Sequence, residues 1–279
     1  MSATISNFTR SLYAQIAMQL TVFIRNMRSV FFTLAFPIMM IVLFASGSSG
    51  QANIPAQQGV DVTMASWTIV GLCCYTLLMG TFVRVAGDMA AQRSTSLLKR
   101  LRLRSTSDAA VIAGYIVTAS IIALACTLIL IVFGMTVYHL PMPKNIPLTV
   151  LVILLTTVVL SLIGAAYASF IPSAEATQIM LLPPALVLMF LSGIFQPVWT
   201  IPAGLRDFAG WFPLVHLTDA LRSAWFGLDV AHAQVSDTGL TIPSGTQFIS
   251  TQGMLVIGLW CAVSLIFAIT KFRWDPRQH

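Results

Sequence analysis

The run Ala109–Val137 contains no charged residue. As a helix rising ~1.5 Å per residue it is long enough to cross the ~30 Å hydrocarbon core of a bilayer with some tilt. Comparable apolar runs recur at about 29–46, 64–83, 148–170, 176–195 and 253–270. They are too long and too uniformly apolar for barrel strands. Only 9% of the chain is charged, against about 25% in a soluble domain, so a water-facing surface could not be covered. The expectation is an all-α integral membrane protein with six transmembrane helices, forming one transmembrane domain over residues 1–279. Pro37 is placed to kink the first span, and Pro183-Pro184 to bend or break the fifth near its middle.

Two further segments are expected at the membrane without crossing it. Residues 5–28 carry Ile5, Phe8, Leu12, Ile16, Leu20, Phe23 and Met27 at spacings of three and four, with Arg10, Arg25 and Arg28 on the other side. That pattern predicts an amphipathic helix lying in the interface rather than a signal peptide. Residues 196–252 form the longest connection. Its first half is apolar but divided by Pro197, Pro202, Gly204, Gly210 and Pro213, which predicts re-entrant helices between spans five and six. Its second half, Asp229–Thr246, is polar and expected to be exposed.

Charge sets the orientation. Six of the fifteen Lys and Arg residues fall in Arg84–Asp108, between spans two and three. With six spans, twelve of the fifteen lie on the side of both termini, against Lys144, Arg206 and Arg222 opposite. The positive-inside rule then places both termini in the cytoplasm. A bacterial-type plasma (inner) membrane, crossed several times, is the expected location.

Several chemistries are excluded or disfavoured. None of the three lysines, Lys99, Lys144 and Lys271, sits in a GxxxxGK[ST] loop, so no P-loop hydrolyses ATP in this chain. The predicted spans are nearly free of ionisable groups, which disfavours proton or sodium coupling. Neither HExxH nor GxSxG occurs; no catalytic, cofactor-binding or metal-ligating residue is assigned. His216 and Asp219, three residues apart, are the nearest approach to a ligand pair. All four cysteines, Cys73, Cys74, Cys126 and Cys261, fall within predicted spans, as small apolar packing residues rather than a disulfide framework. The net charge of +6 is local to loops and indicates no nucleic-acid partner.

The basic loop has more than charge. Leu97, Leu98 and Leu101 recur at helical spacing among Lys99, Arg100, Arg102 and Arg104. A short helix of this kind can seat leucines in a groove and set cations against an acidic partner. A loop that served topology alone would need only the charges, although the leucines could equally dip into the membrane.

The segment Ser192–Arg222 carries Ser192-Gly193, Gln196-Pro197, Ile201-Pro202, and Pro213-Leu214 followed by His216-Leu217 and Asp219–Arg222. It resembles the permease subunits of type-2 ABC exporters, the family that includes daunorubicin-resistance-type drug exporters and polysaccharide exporters. Ser96-Leu97-Leu98-Lys99-Arg100-Leu101 is similar to that family's loop motif, but Gln92 and Ser94 stand near positions that usually carry Glu. The resemblance implies a membrane-spanning permease subunit that moves its substrate outward; few charges and many Met and Phe residues fit a hydrophobic or amphipathic small molecule, drug-like or lipid-like, better than a strongly charged one. Two copies of a separate ATPase would hold the ATP and Mg, and a second permease copy or paralogue would complete the pathway. Contact with the ATPase would fall to Arg93, Leu97, Lys99, Arg100, Leu101 and Glu175. The exit would be closed by the region of Ser192, Gly193, Gln196, Pro197, Pro202, Pro213, His216, Asp219 and Arg222. Glycan export by the same kind of complex, a lipid-acting membrane enzyme and a passive channel remain as alternatives.

Overall fold

The computed structural model describes residues 2–47, 62–94, 108–195, 197, 200–230, 234–236, 239–242 and 249–270. Helix α1 (Ser2–Arg25) leads into α2 (Met27–Gly47). Next comes α3 (Met64–Leu77), whose first turn is capped by the Thr63 hydroxyl accepting from the Ser66 amide at 3.1 Å. Every residue from Ser66 to Leu77 is buried, as a helix without a polar face must be. The chain continues without a break through a π-helical segment, Leu78–Val83, into α4 (Arg84–Ser94). These three pieces form one rod, so the helix runs past Val83, where the sequence expectation began a loop. Arg84 and Asp88 therefore belong to the rod.

Helices α5 (Asp108–Val137) and α6 (Ile146–Ala168) follow. Asn145 caps α6 by accepting from the Leu148 amide at 3.1 Å, and Pro147 sits in the first turn. Ser173 caps α7 (Ala174–Leu191) in the same way. Pro183-Pro184, expected to bend or break α7, lie inside it without breaking it. Pro184 cannot donate to the carbonyl of Met180, four residues back. The Tyr167 hydroxyl of α6 donates to that carbonyl instead, at 2.8 Å, so the proline leaves no buried orphan acceptor there.

Two short helices come next, α8 (Ala203–Ala209) and α9 (Pro213–Phe226). At ~1.5 Å per residue neither reaches across a ~30 Å core. A small antiparallel hairpin, β1 (Gln234–Ser236) and β2 (Gly239–Thr241), precedes α10 (Thr251–Thr270). Of the second half of this connection, Asp229, Val230 and Ile242 are buried; the exposure of its other residues lies outside what the structure describes.

Among the described residues, four helices are long and apolar enough to cross a membrane: Met64–Ala91, Ile112–Val137, Ile146–Ala168 and Thr251–Thr270. Ala35–Phe44 and Glu175–Leu191 are shorter apolar helices. Helix α6 lies at the centre of the bundle, against the rod, α5, α9 and α10. It comes close to the rod at Gly164, where a Cβ would lie 2.6 Å from the Phe82 carbonyl oxygen. Small residues at such crossings bring backbones together where no hydrophobic effect can do so.

Candidate translocation site

One end of the bundle holds a cavity of about 220 Å³ between the rod and α7. The rod contributes Met79, Val83, Arg84 and Asp88, and α7 contributes Thr177, Gln178 and Leu181. Arg84 Nε and Asp88 Oδ2 are 3.5 Å apart, one helical turn from each other. The Arg84 guanidinium also lies 4.4 Å from the centroid of the Phe23 ring of α1, a cation–π contact that ties α1 to the rod. The cavity is thus apolar along most of its wall with one pair of opposite charges at its edge.

The other end of the rod is held by Arg222 of α9, which is wholly buried. Its guanidinium stacks 4.3 Å from the centroid of the Trp67 ring. Nη2 donates to the carbonyls of Trp67, at 3.4 Å, and Ile194, at 3.3 Å. Three elements therefore meet on one side chain: α3, the end of α7 and α9. Gly71 makes the room, since a Cβ there would collide with the Ile194 carbonyl and the Arg222 guanidinium. Ser192 ends α7, with its amide donating to the Leu188 carbonyl, and Gly193 turns the chain at a φ of 69°. That turn presents the Ile194 carbonyl to Arg222, which accounts for a Ser-Gly pair at this point.

The remaining positions of the Ser192–Arg222 segment are placed as follows. Pro197 is buried, and its carbonyl accepts from the Thr200 amide and hydroxyl. Pro202 precedes α8, and Pro213 opens α9. His216 Nε2 lies 2.9 Å from the Gly210 carbonyl oxygen, which commits that nitrogen to bracing the α8–α9 turn. Asp219 sits one turn before Arg222 in the middle of α9. Among the described residues, no group of three or more His, Cys, Asp or Glu side chains is arranged to hold a metal ion. Gln196 lies outside the described residues.

Of the expected ATPase contacts, Arg93 lies in α4. Glu175 is exposed in the first turn of α7, close in sequence to Thr177 and Gln178 on the wall of the charged-edge cavity. Its own backbone amide and the Ser173 hydroxyl hold its carboxyl below the usual glutamate range. Leu97, Lys99, Arg100 and Leu101 lie outside the described residues. Two features escaped sequence reasoning. The Arg84–Asp88 pair was legible as opposite charges at i and i+4, but only if the helix was extended through Val83. Gln15 and Gln19 are buried, with Gln15 against Gly114 of α5; they border the apolar stripe of α1, and their polarity kept them out of it.

A bundle of long apolar helices, two helices too short to cross and one cavity with a charged edge define a multi-pass membrane transport protein. The sequence profile of the ABC-2 type transporter family matches residues 10–226. The chain belongs to that family, as the permease subunit of an ABC transporter. No curated protein matches it.

Proposed function

We propose that this chain is the membrane half of an ATP-driven exporter that carries a hydrophobic or amphipathic molecule, drug-like or lipid-like, from the cytoplasm outward. In this reading six helices cross the plasma membrane, both termini are cytoplasmic, and α8 and α9 are re-entrant from the outer side. Two such permeases pair, and two copies of a separate ATPase bind ATP and Mg below them.

The observation that carries the reading is the continuity of the rod. From Met64 to Ser94 the chain is helical. Its upper part is held by Arg222, its lower part forms a cavity wall through Arg84 and Asp88, and its end runs into the basic segment. A partner that pulls on the segment 95–107 therefore acts directly on that wall. Moving a permease from 1:99 to 99:1 between inward- and outward-open states takes ~5.5 kcal/mol of differential partner affinity. In this reading Arg93, Leu97, Lys99, Arg100, Leu101 and Glu175 make that contact.

The test is the double substitution Leu97→Ala/Leu101→Ala in the full complex. It should reduce co-purification of the ATPase or uncouple its hydrolysis from transport. Survival of ATPase binding, ATPase stimulation and export together would remove the coupling assignment.

A further inference from the structure

A second cavity, about 230 Å³, lies between α6, α7, α9 and α10. It shares no lining residue with the charged-edge cavity and has no polar surface. Its walls include Leu160, Ile163 and Tyr167 of α6, Pro184 and Val187 of α7, and Trp260 of α10. The cavity exists because α7, although next to α6 in sequence, packs instead on α4 and the π segment.

The two polar groups on its wall are both committed elsewhere. The Tyr167 hydroxyl donates to the Met180 carbonyl at 2.8 Å, and Trp260 Nε1 donates to the Trp211 carbonyl at 2.8 Å. What remains offers only carbon and ring faces. An apolar cavity of ~150 Å³ stays dry and accepts benzene, so this larger one excludes water and accepts hydrocarbon. Its rim opens sideways rather than toward an aqueous end: Val187 is exposed on the flank of the bundle, and Pro184 and Trp260 are part-exposed. Two of the walls, α6 and α10, are of membrane-spanning length, and in a bilayer the flank between them would meet lipid. The space is far too small for a helix of a partner, but it suits the slender end of an alkyl chain.

We propose that this cavity is a binding site for one acyl chain of a membrane phospholipid, inserted between α6 and α7 with its tip against the start of α9. The chain fills the gap left by α7 and links the position of α7 to that of α9. This goes beyond the transport reading and does not depend on it.

The experiment uses the full-length protein reconstituted in vesicles of phosphatidylethanolamine and phosphatidylglycerol, with a small fraction of phospholipid bearing a diazirine near the acyl terminus. After irradiation, peptides containing Ile163, Tyr167 and Val187 should be labelled several-fold more than the lipid-facing Leu255 and Leu259 of α10. Ile163→Trp, which fills the cavity, should abolish the excess and leave labelling at Leu255 and Leu259 unchanged, which also reports that the protein is folded. Leu160→Phe is the milder filling variant and should reduce the excess in part. Labelling at the cavity no higher than at Leu255 and Leu259, or an excess untouched by both variants, overturns the proposal.

Discussion

Alanine at Gly71 has nowhere to put its methyl group. The new carbon would collide with the Ile194 carbonyl oxygen and with Nη2 of Arg222. Two responses are open to the protein. The turn at Ile194 can move away, an overpacking response that costs about 1–3 kcal/mol. Alternatively the guanidinium can withdraw and lose its bonds to the Trp67 and Ile194 carbonyls. Those bonds, at 3.4 and 3.3 Å, are long, so their loss falls near the low end of the ~1.5–3 kcal/mol typical of charged donors. Alanine recovers up to ~1 kcal/mol of helix propensity over glycine, which leaves a net loss of about 0.5–2 kcal/mol. The thermal unfolding midpoint of the purified protein should then fall by several degrees, at ~2–4 °C per kcal/mol. Gly258→Ala on α10 is the matched control, because a Cβ there meets nothing within 4 Å; its midpoint should hold or rise. If Gly71→Ala melts at or above the parent while Gly258→Ala behaves as described, the three-way junction at Arg222 is not as tight as its geometry states.

Arg222→Lys should fail to restore that junction: an ammonium is a point charge that cannot both stack on Trp67 and bridge two carbonyls. A loss of about 1–3 kcal/mol, read as a lower unfolding midpoint, is expected; parent-like melting would show the planar fork to be unnecessary. Glu175→Gln tests the lowered carboxyl. A group whose folded pKa lies below its unfolded value contributes stability above the unfolded value and loses it as pH falls through the folded one. The parent should therefore exceed Glu175→Gln in unfolding midpoint near neutrality by a small margin that vanishes on acidification below the ordinary glutamate range. A margin that is constant with pH would assign the effect to something other than ionisation.

Much of the architecture was legible because lipid leaves few choices. Backbone groups in hydrocarbon must bond within their own helix, so long uncharged runs such as Ala109–Val137 could hardly be anything else. The break-up of residues 196–226 by Gly and Pro also translated into two short helices. The misjudgements have local causes. Pro183-Pro184 looked disruptive because proline rules treat a helix in isolation, and the hydroxyl that satisfies Met180 comes from Tyr167 on another helix. The extension of the rod beyond Val83 was hidden by Arg84, a charge taken as the end of a span. Within the fold that charge has Asp88 and the Phe23 ring to meet it. The role of Arg222 was readable only as part of a motif. That its task is to join three backbones through Gly71 needed the geometry, because its carbonyl partners at Trp67 and Ile194 are remote in sequence.

The π-helical turn at Leu78–Val83 carries a consequence for phase. Such a turn amounts to about one residue inserted into an α-helix, and one residue is ~100° of rotation. Everything below it is turned by that angle relative to a regular helix of the same sequence. Trp67 and Gly71 above the turn can therefore address Arg222, while Arg84 and Asp88 below it address α7 and α1, in directions that one uninterrupted screw would not supply together. The insertion is clamped on two sides, by Gly164 of α6 against the Phe82 backbone and by Gly80 against Ala123 of α5. Removing a single residue between Leu78 and Val83 would re-index the lower half of the rod and aim its ion pair at a different neighbour, with no change in the chemistry of any remaining side chain.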